Sequence, residues 1–247
     1  MLDFQRAPQS YARLGGVAYL VIIALGLFGE TYVRGSLVVP GDGIATAARI
    51  AESPGLWRLG IAGDLLMHLL DVPLIVLFYL LLRPVSHPLA LVSSAFNVVQ
   101  TSVLAANKLT LIALLQLASE AVVNADLPSS VLGSLMSLSA SLHGYGFGMG
   151  LLFFGLTCII RGHLMRRSGY FPPLLGTLLV VAGASYVVNS AALFTAPEVA
   201  SALFPWVLVP AFVGELALAL WLTIRGINVA AWENQAGLKF PHANSAA

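Results

Sequence analysis

Apolar runs of about 20 residues recur along nearly the whole chain, each long enough to cross a hydrocarbon core about 30 Å thick. Only helices and closed barrels satisfy their backbone groups in lipid. A barrel sequence would alternate in segments of about ten residues, and this one does not. The chain therefore reads as all-α, a polytopic transmembrane bundle of six helices. Charge agrees: Asp, Glu, Lys and Arg make up 9% of 247 residues and hydrophobic types 58%, with mean hydropathy +0.89, whereas soluble domains carry about 25% charged residues. A net charge of +1 offers no basic surface, so nucleic acid is excluded as a partner. The single cysteine, Cys158, rules out an internal disulfide and a cysteine-built zinc site.

The expected spans run from about Tyr11 to Val33, Trp57 to Leu82, His87 to Leu117, Val131 to Ile160, Leu174 to Phe194 and Trp206 to Ile224. They make a single transmembrane domain over 11–227, between a polar N-terminal lead (1–10) and a polar, frayed tail (228–247). Arg6 and Arg13 before the apolar stretch Leu14 to Phe28 resemble a signal peptide. The run is long enough to span, however, and has no small-x-small cleavage site before Glu30, so the reading is a first span. In the first long loop, Arg34 to Asp42 reads as an extended segment and turn. Asp42 then caps a short interfacial helix that closes at Ser53-Pro54-Gly55. Ser119 to Ser130 reads as a polar turn.

Six spans put the N-terminus, the second and fourth connectors and the C-terminus on one side. That side holds Arg6, Arg13, Arg83, Arg161, Arg166, Arg167, Arg225 and Lys239, eight of the twelve basic residues. The positive-inside rule then makes both termini cytoplasmic, with the bacterial cytoplasmic (inner) membrane as the expected location. The connector from Arg161 to Arg167 reads as topogenic, in contact with anionic lipid. Trp57, Trp206 and Tyr170 read as interfacial anchors.

Ionisable groups inside the spans are costly and mark functional sites by default. Asp64, His68 and Asp71 fall at i, i+4 and i+7, one stripe of a helix. At about 1.5 Å per residue, Asp64 and His68 lie ~10 and ~16 Å below the outer start of span two, and Glu30 ~24 Å above the cytoplasmic start of span one. Lys108, His143, Tyr186 and Asn189 also come out in the outer half, with Glu215 near the middle. The expected site is therefore one outer-half cluster drawn from all six helices.

Two chemistries suit it. In the first, Asp64, His68 and Glu215 exchange protons while Glu30, Lys108, His143, Asn107, Tyr186 and Asn189 bind or position a hydrophobic substrate. In the second, Asp64, His68, Asp71 and His143 hold a divalent transition metal, since imidazole and carboxylate suit such ions. Lys108 reads first as the counter-ion of Glu30 or Asp64. Glu215, in an Ala/Leu run, is a candidate proton donor or carrier. The blander reading is a hydrogen-bonded network that pins the helices. The glycines of His143-Gly-Tyr-Gly-Phe-Gly-Met-Gly150 read as a close-packing face. Expected partners are membrane lipid, a lipidic or small hydrophobic ligand and, as an option, further copies of the chain. A proton-coupled carrier is the rival class, weakened by the few polar groups deep on the cytoplasmic side.

Several stretches in order, Ala12-Arg-Leu-Gly-Gly-Val-Ala-Tyr-Leu20, Glu30 with Val33-Arg-Gly-Ser-Leu-Val-Val-Pro-Gly-Asp42, Leu59-Gly-Ile-Ala-Gly-Asp64, Leu80-Leu-Leu-Arg-Pro84 and Arg167-Ser-Gly-Tyr-Phe-Pro-Pro-Leu-Leu-Gly176, together resemble the bacterial domain of unknown function 4386 family. The resemblance covers about residues 11 to 225. It implies a polytopic membrane protein and carries no established activity or catalytic residue.

Overall fold

The computed structural model describes residues 4, 6–123 and 128–237, the side chains of 120–123 apart. Six helices are long and apolar enough to cross a membrane. We label the helices α1 (Pro8–Leu37), α2 (Gly43–Glu52), α3 (Pro54–Leu82), α4 (His87–Val123), α5 (Ser129–Ser168), α6 (Pro173–Thr195), α7 (Pro197–Leu203), α8 (Val209–Ile224) and α9 (Val229–Gln235). Trp206–Leu208 forms a 3-10 turn leading into α8. Among the described residues there is no strand.

The spans form a closed ring in chain order. Helix α1 packs on α3, α3 on α4, α4 on α5, α5 on α6, α6 on α8, and α8 returns to α1. Lipid tails are as apolar as leucine and cannot drive such a ring together, so close packing has to. The α5/α6 wall shows how this is done. Ser190 Oγ donates to the Gly148 carbonyl at 2.8 Å, a Cβ on Gly155 would stand 2.8 Å from the Gly183 carbonyl, and one on Gly176 would stand 2.6 Å from the Gly162 carbonyl. Gly148, Gly155 and Gly162 thus descend α5 at seven-residue steps while Ser190, Gly183 and Gly176 ascend α6 at the same steps. A side chain at the glycine positions would force the two backbones apart.

One end of the ring carries α2, and the other carries Phe4 and α9. Asp42 caps α2, its carboxylate accepting from the Ala45 amide at 2.9 Å. The helix packs on α4 and α5, with Ile50 and Ala47 in a core with Trp57, Leu111 and Met136. At the terminal end Trp232 of α9 is buried, meets the Phe4 ring edge-on at 5.6 Å and donates to the Leu81 carbonyl at 3.2 Å. The Tyr170 hydroxyl donates to the same carbonyl at 2.6 Å.

Several expectations need correction. The first span runs on through Leu37, and Arg34 lies within it, paired with Asp64 inside the bundle and with Glu30 at its rim. The fourth span does not stop at Ile160: α5 has 40 residues, so the basic connector is helix, with His163, Arg166 and Arg167 exposed and Arg161 buried. Trp57 and Tyr170 are not interfacial anchors. Both are buried, Trp57 donating to the Leu111 carbonyl at 2.9 Å, while Trp206 is 75% exposed. The tail from Asn228 is not frayed at its start, since Asn228 caps α9 through the Ala231 amide. The lead is anchored by the buried Phe4. The polar turn Ser119 to Ser130 lies partly outside the described residues, as do residues 1–3 and 5 of the lead and the rest of the tail with Lys239.

Candidate functional site

The α3 stripe splits between two networks. Asp64 is fully buried and faces the α2 end. Its Oδ2 accepts from Arg34 Nη1 at 2.8 Å and lies 2.9 Å from Lys108 Nζ, while Arg34 Nη2 reaches Oδ1 at 3.5 Å. Arg34 Nε also pairs with Glu30 at 2.7 Å, and the Glu30 side chain is half exposed. The result is a four-charge cluster, neutral overall, with two cations and one carboxylate inside and the second carboxylate at the rim. Burying these groups costs several kcal/mol each unless they are paired and hydrogen-bonded, and the pairing is what makes the depth tolerable.

Local structure positions each member. The segment Phe28–Arg34 is a π-helix, a wide turn that recurs at functional sites, and it aims Arg34 across to α3. Gly29 leaves the space, since a Cβ there would stand 2.5 Å from Asp64 Oδ1 and 3.0 Å from Arg34 Nη2. Next to Lys108 on α4, Asn107 Nδ2 donates to the His143 carbonyl at 2.9 Å and lies 3.2 Å from His143 Nδ1. Thr110 Oγ1 is also 3.2 Å from that nitrogen. Gly146 makes room for the Asn107 amide, which a side chain there would displace. Gly148, against Leu193, and Gly150, against Leu104, fulfil the packing expectation, whereas Gly144 has nothing within 4 Å and does not.

His68, one turn along α3 from Asp64, is 5% exposed. Its Nε2 is the one buried side-chain nitrogen or oxygen without a hydrogen-bond partner among the described residues. Native proteins leave few such atoms, and each calls for an explanation.

Asp71 belongs elsewhere. It accepts from Thr101 Oγ1 and, at 3.1 Å, from Asn97 Nδ2. Asn97 Oδ1 in turn accepts from Arg161 Nη2, so one amide bridges guanidinium and carboxylate. Arg161 lies 4.5 Å over the Phe78 ring, a cation–π contact that strengthens when water is excluded. Near this second network Glu215 accepts from Tyr19 at 2.8 Å and from Tyr186. Tyr19, Asp71, Asn97, Arg161, Tyr186 and Glu215 come from α1, α3, α4, α5, α6 and α8, one from each span.

The single outer cluster of the sequence reading is therefore corrected to two. Asp64, His68, Lys108, Glu30, Asn107 and His143 lie toward the α2 end, whereas Glu215, Tyr186 and Asp71 stand with Arg161. Asn189 is half-buried and joins neither network through a side-chain hydrogen bond among the described residues. The metal set fails on geometry. Among the described residues no three His, Cys, Asp or Glu side chains are grouped to hold an ion. Asp64 is engaged by two cations, Asp71 faces the other network, and His143 Nδ1 is met by Asn107 and Thr110. Sequence reasoning missed Arg34 and Arg161, each taken for a residue at a span end. The Glu30/Arg34 spacing of four was the available signal for the first.

The profile of the family described as Domain of unknown function (DUF4386) matches residues 14–226, and the chain belongs to that family. It is also similar to an uncharacterized protein of Archaeoglobus fulgidus, 29% identical over 167 residues, which cover 67% of this chain and 83% of that relative. No solved structure matches it.

Proposed function

We propose, with membership of this family of membrane proteins as the premise, that the Asp64 cluster is the site of an intramembrane binding protein or acid/base enzyme for a lipidic or small hydrophobic molecule. The positive-inside rule puts the α2 end outside and both termini in the cytoplasm of a bacterial inner membrane, so the site is entered from the outer leaflet or outer face. The observation that carries the reading is His68 Nε2, a buried ring nitrogen with no partner among the described residues, one turn from the fully buried Asp64. A ligand head group that hydrogen-bonds this nitrogen supplies what the protein leaves out.

The charges suggest the class of head group. Inside the bundle Arg34 and Lys108 outnumber Asp64, and the balance is made by Glu30 at the half-exposed rim. An anionic head, carboxylate or phosphate, takes the place of Glu30 on Arg34, with the chain lying among the apolar side chains of the ring. Asp64 holds both cations, and His68 is the proton donor or acceptor toward the bound head. The test is a thermal-shift titration in mild detergent with dodecyl phosphate against dodecylphosphocholine. Dodecyl phosphate at about one hundred times Kd stabilises the wild type by about 2.7 kcal/mol, and the zwitterion does not. His68→Leu and Arg34→Gln lose the effect while remaining folded. Equal stabilisation of His68→Leu would overturn the reading.

A second reading, a proton-coupled carrier, is favoured by the Arg161 network, which supplies the polar groups toward the terminal end that such a path requires. Uptake into proteoliposomes driven by an imposed pH gradient distinguishes it from a static binding site.

A further inference from the structure

Arg161 and Asp71 already balance each other. The Asn97 amide takes a hydrogen bond from the guanidinium on its oxygen and gives one to Asp71 from its nitrogen, so the pair forms a neutral unit across α5, α4 and α3. Glu215 is then left without a cation of its own. It is 9% exposed, and among the described residues no Lys, Arg or His nitrogen lies within 4.0 Å of it. Its partners are two neutral hydroxyls, Tyr19 on α1 and Tyr186 on α6. The titratable groups within electrostatic reach are Tyr19, Asp71, Cys158, Arg161 and Tyr186, and Glu215 is the one titratable residue of α8.

We propose that Glu215, with Tyr19 and Tyr186, is a proton-exchange site of the membrane interior, separate from the Asp64 cluster, and that its proton works the contact closing the ring. As a carboxylate, Glu215 accepts from both phenols and ties α8 to α1 on one side and to α6 on the other. A hydronium ion gives up one O–H bond, leaving water, and its proton forms an O–H bond on one carboxylate oxygen, which makes that oxygen a donor. The O–H then donates to the phenol oxygen beside it, and the hydrogen of that phenol must turn to another acceptor. One of the two ties is thereby re-formed with its direction reversed. When the proton leaves to water, both phenols donate again. Because α8 stands between α1 and α6, protonation is felt at the one place where the last span meets the first. Tyr19 also touches Phe78 edge-on at 6.4 Å, and Phe78 carries Arg161, so the two halves of the inner network share one aromatic neighbour.

This goes beyond the ligand-binding reading and does not depend on it. The experiment is infrared difference spectroscopy of the protein in lipid films, titrated between about pH 4 and 10, the range over which a carboxyl group of a protein interior exchanges its proton. The expected result is a carboxylic C=O band that rises and falls with pH, shifts in D2O and disappears in Glu215→Gln, while Glu30→Gln keeps it. Tyr186→Phe retains the band but moves its frequency, because the carboxyl has lost a partner. That variant also carries the test should Glu215→Gln fail to fold. A spectrum without a titrating carboxyl band, or a band that neither substitution alters, overturns the proposal. Dodecyl phosphate stabilisation unchanged in Tyr186→Phe shows the two sites to be separate; its loss there counts against that separation.

Discussion

Asp64 is the place where the energetics can be tested most directly, because one carboxylate satisfies two cations. Asp64→Asn removes the anion and leaves Lys108, whose side chain is 4% exposed, facing no acid, while Arg34 keeps Glu30. Breaking a buried pair in this way costs about 3–5 kcal/mol. Lys108→Met is milder, because Asp64 retains Arg34 at 2.8 Å. It forfeits one hydrogen bond to a charged group, about 1.5–3 kcal/mol. In the double variant the orphaned ammonium is gone and the amide oxygen introduced on α3 still accepts from Arg34, so the cost falls to roughly that of Lys108→Met alone. The two effects are then strongly non-additive, with a coupling equal to the cost of Asp64→Asn alone, about 3–5 kcal/mol. Unfolding in mixed micelles, followed by helical circular dichroism across the four proteins of the cycle, measures it. Singles that add to within about 0.5 kcal/mol would refute the picture of a shared carboxylate.

Three further outcomes follow from packing. Gly162→Ala, on the α5/α6 seam where backbone stands against backbone, is expected to destabilise by about 1–3 kcal/mol. Gly144→Ala, with nothing within 4 Å of the new Cβ, is neutral or stabilising by about 0.5–1 kcal/mol; the same unfolding assay separates them. Trp232→Ala removes a fully buried ring from between Phe4 and Leu81 and costs about 3–5 kcal/mol, with earlier proteolysis of both termini as the local signature. Phe78→Leu strips the ring from beneath Arg161 and costs about 2 kcal/mol, against well under 1.5 kcal/mol for a Leu→Met exchange of similar volume at the buried Leu81; thermal midpoints compare the two.

The six spans, the Asp42 cap and the pairing of Lys108 with one of two acids, Glu30 or Asp64, were legible because each rests on a local pattern or on a strong penalty. Length and apolarity decide a span, and an intramembrane ammonium must find an acid. What was not legible depends on direction around a helix axis. Depth counting put Glu215 and Tyr186 with Asp64, although they face a different neighbour. The same blindness assigned Arg161 to a connector, when burial, the Asn97 amide and the Phe78 ring keep it inside. Trp57 and Tyr170 sit at span ends, where aromatic residues usually meet the interface, and only the carbonyls of Leu111 and Leu81 reveal that they turn inward. Arg34 lay beyond the expected end of a helix whose π turn carries it several residues further.

The glycine seam between α5 and α6 has a mechanical consequence. Two backbones in contact at repeated seven-residue steps, with short side chains between them, have little slack, so this side of the ring behaves as a stiff wall and forces applied to it pass through undiminished. At the α1/α3 border, in contrast, Gly15 meets the Leu77 side chain, Gly60 meets that of Val33, and a π turn lies within α1, so this border is the more compliant one. Any widening of the ring is therefore concentrated at the border of α1 with α3, where Arg34 reaches across, and not at that with α8, where Gly16 stands against the Thr223 backbone.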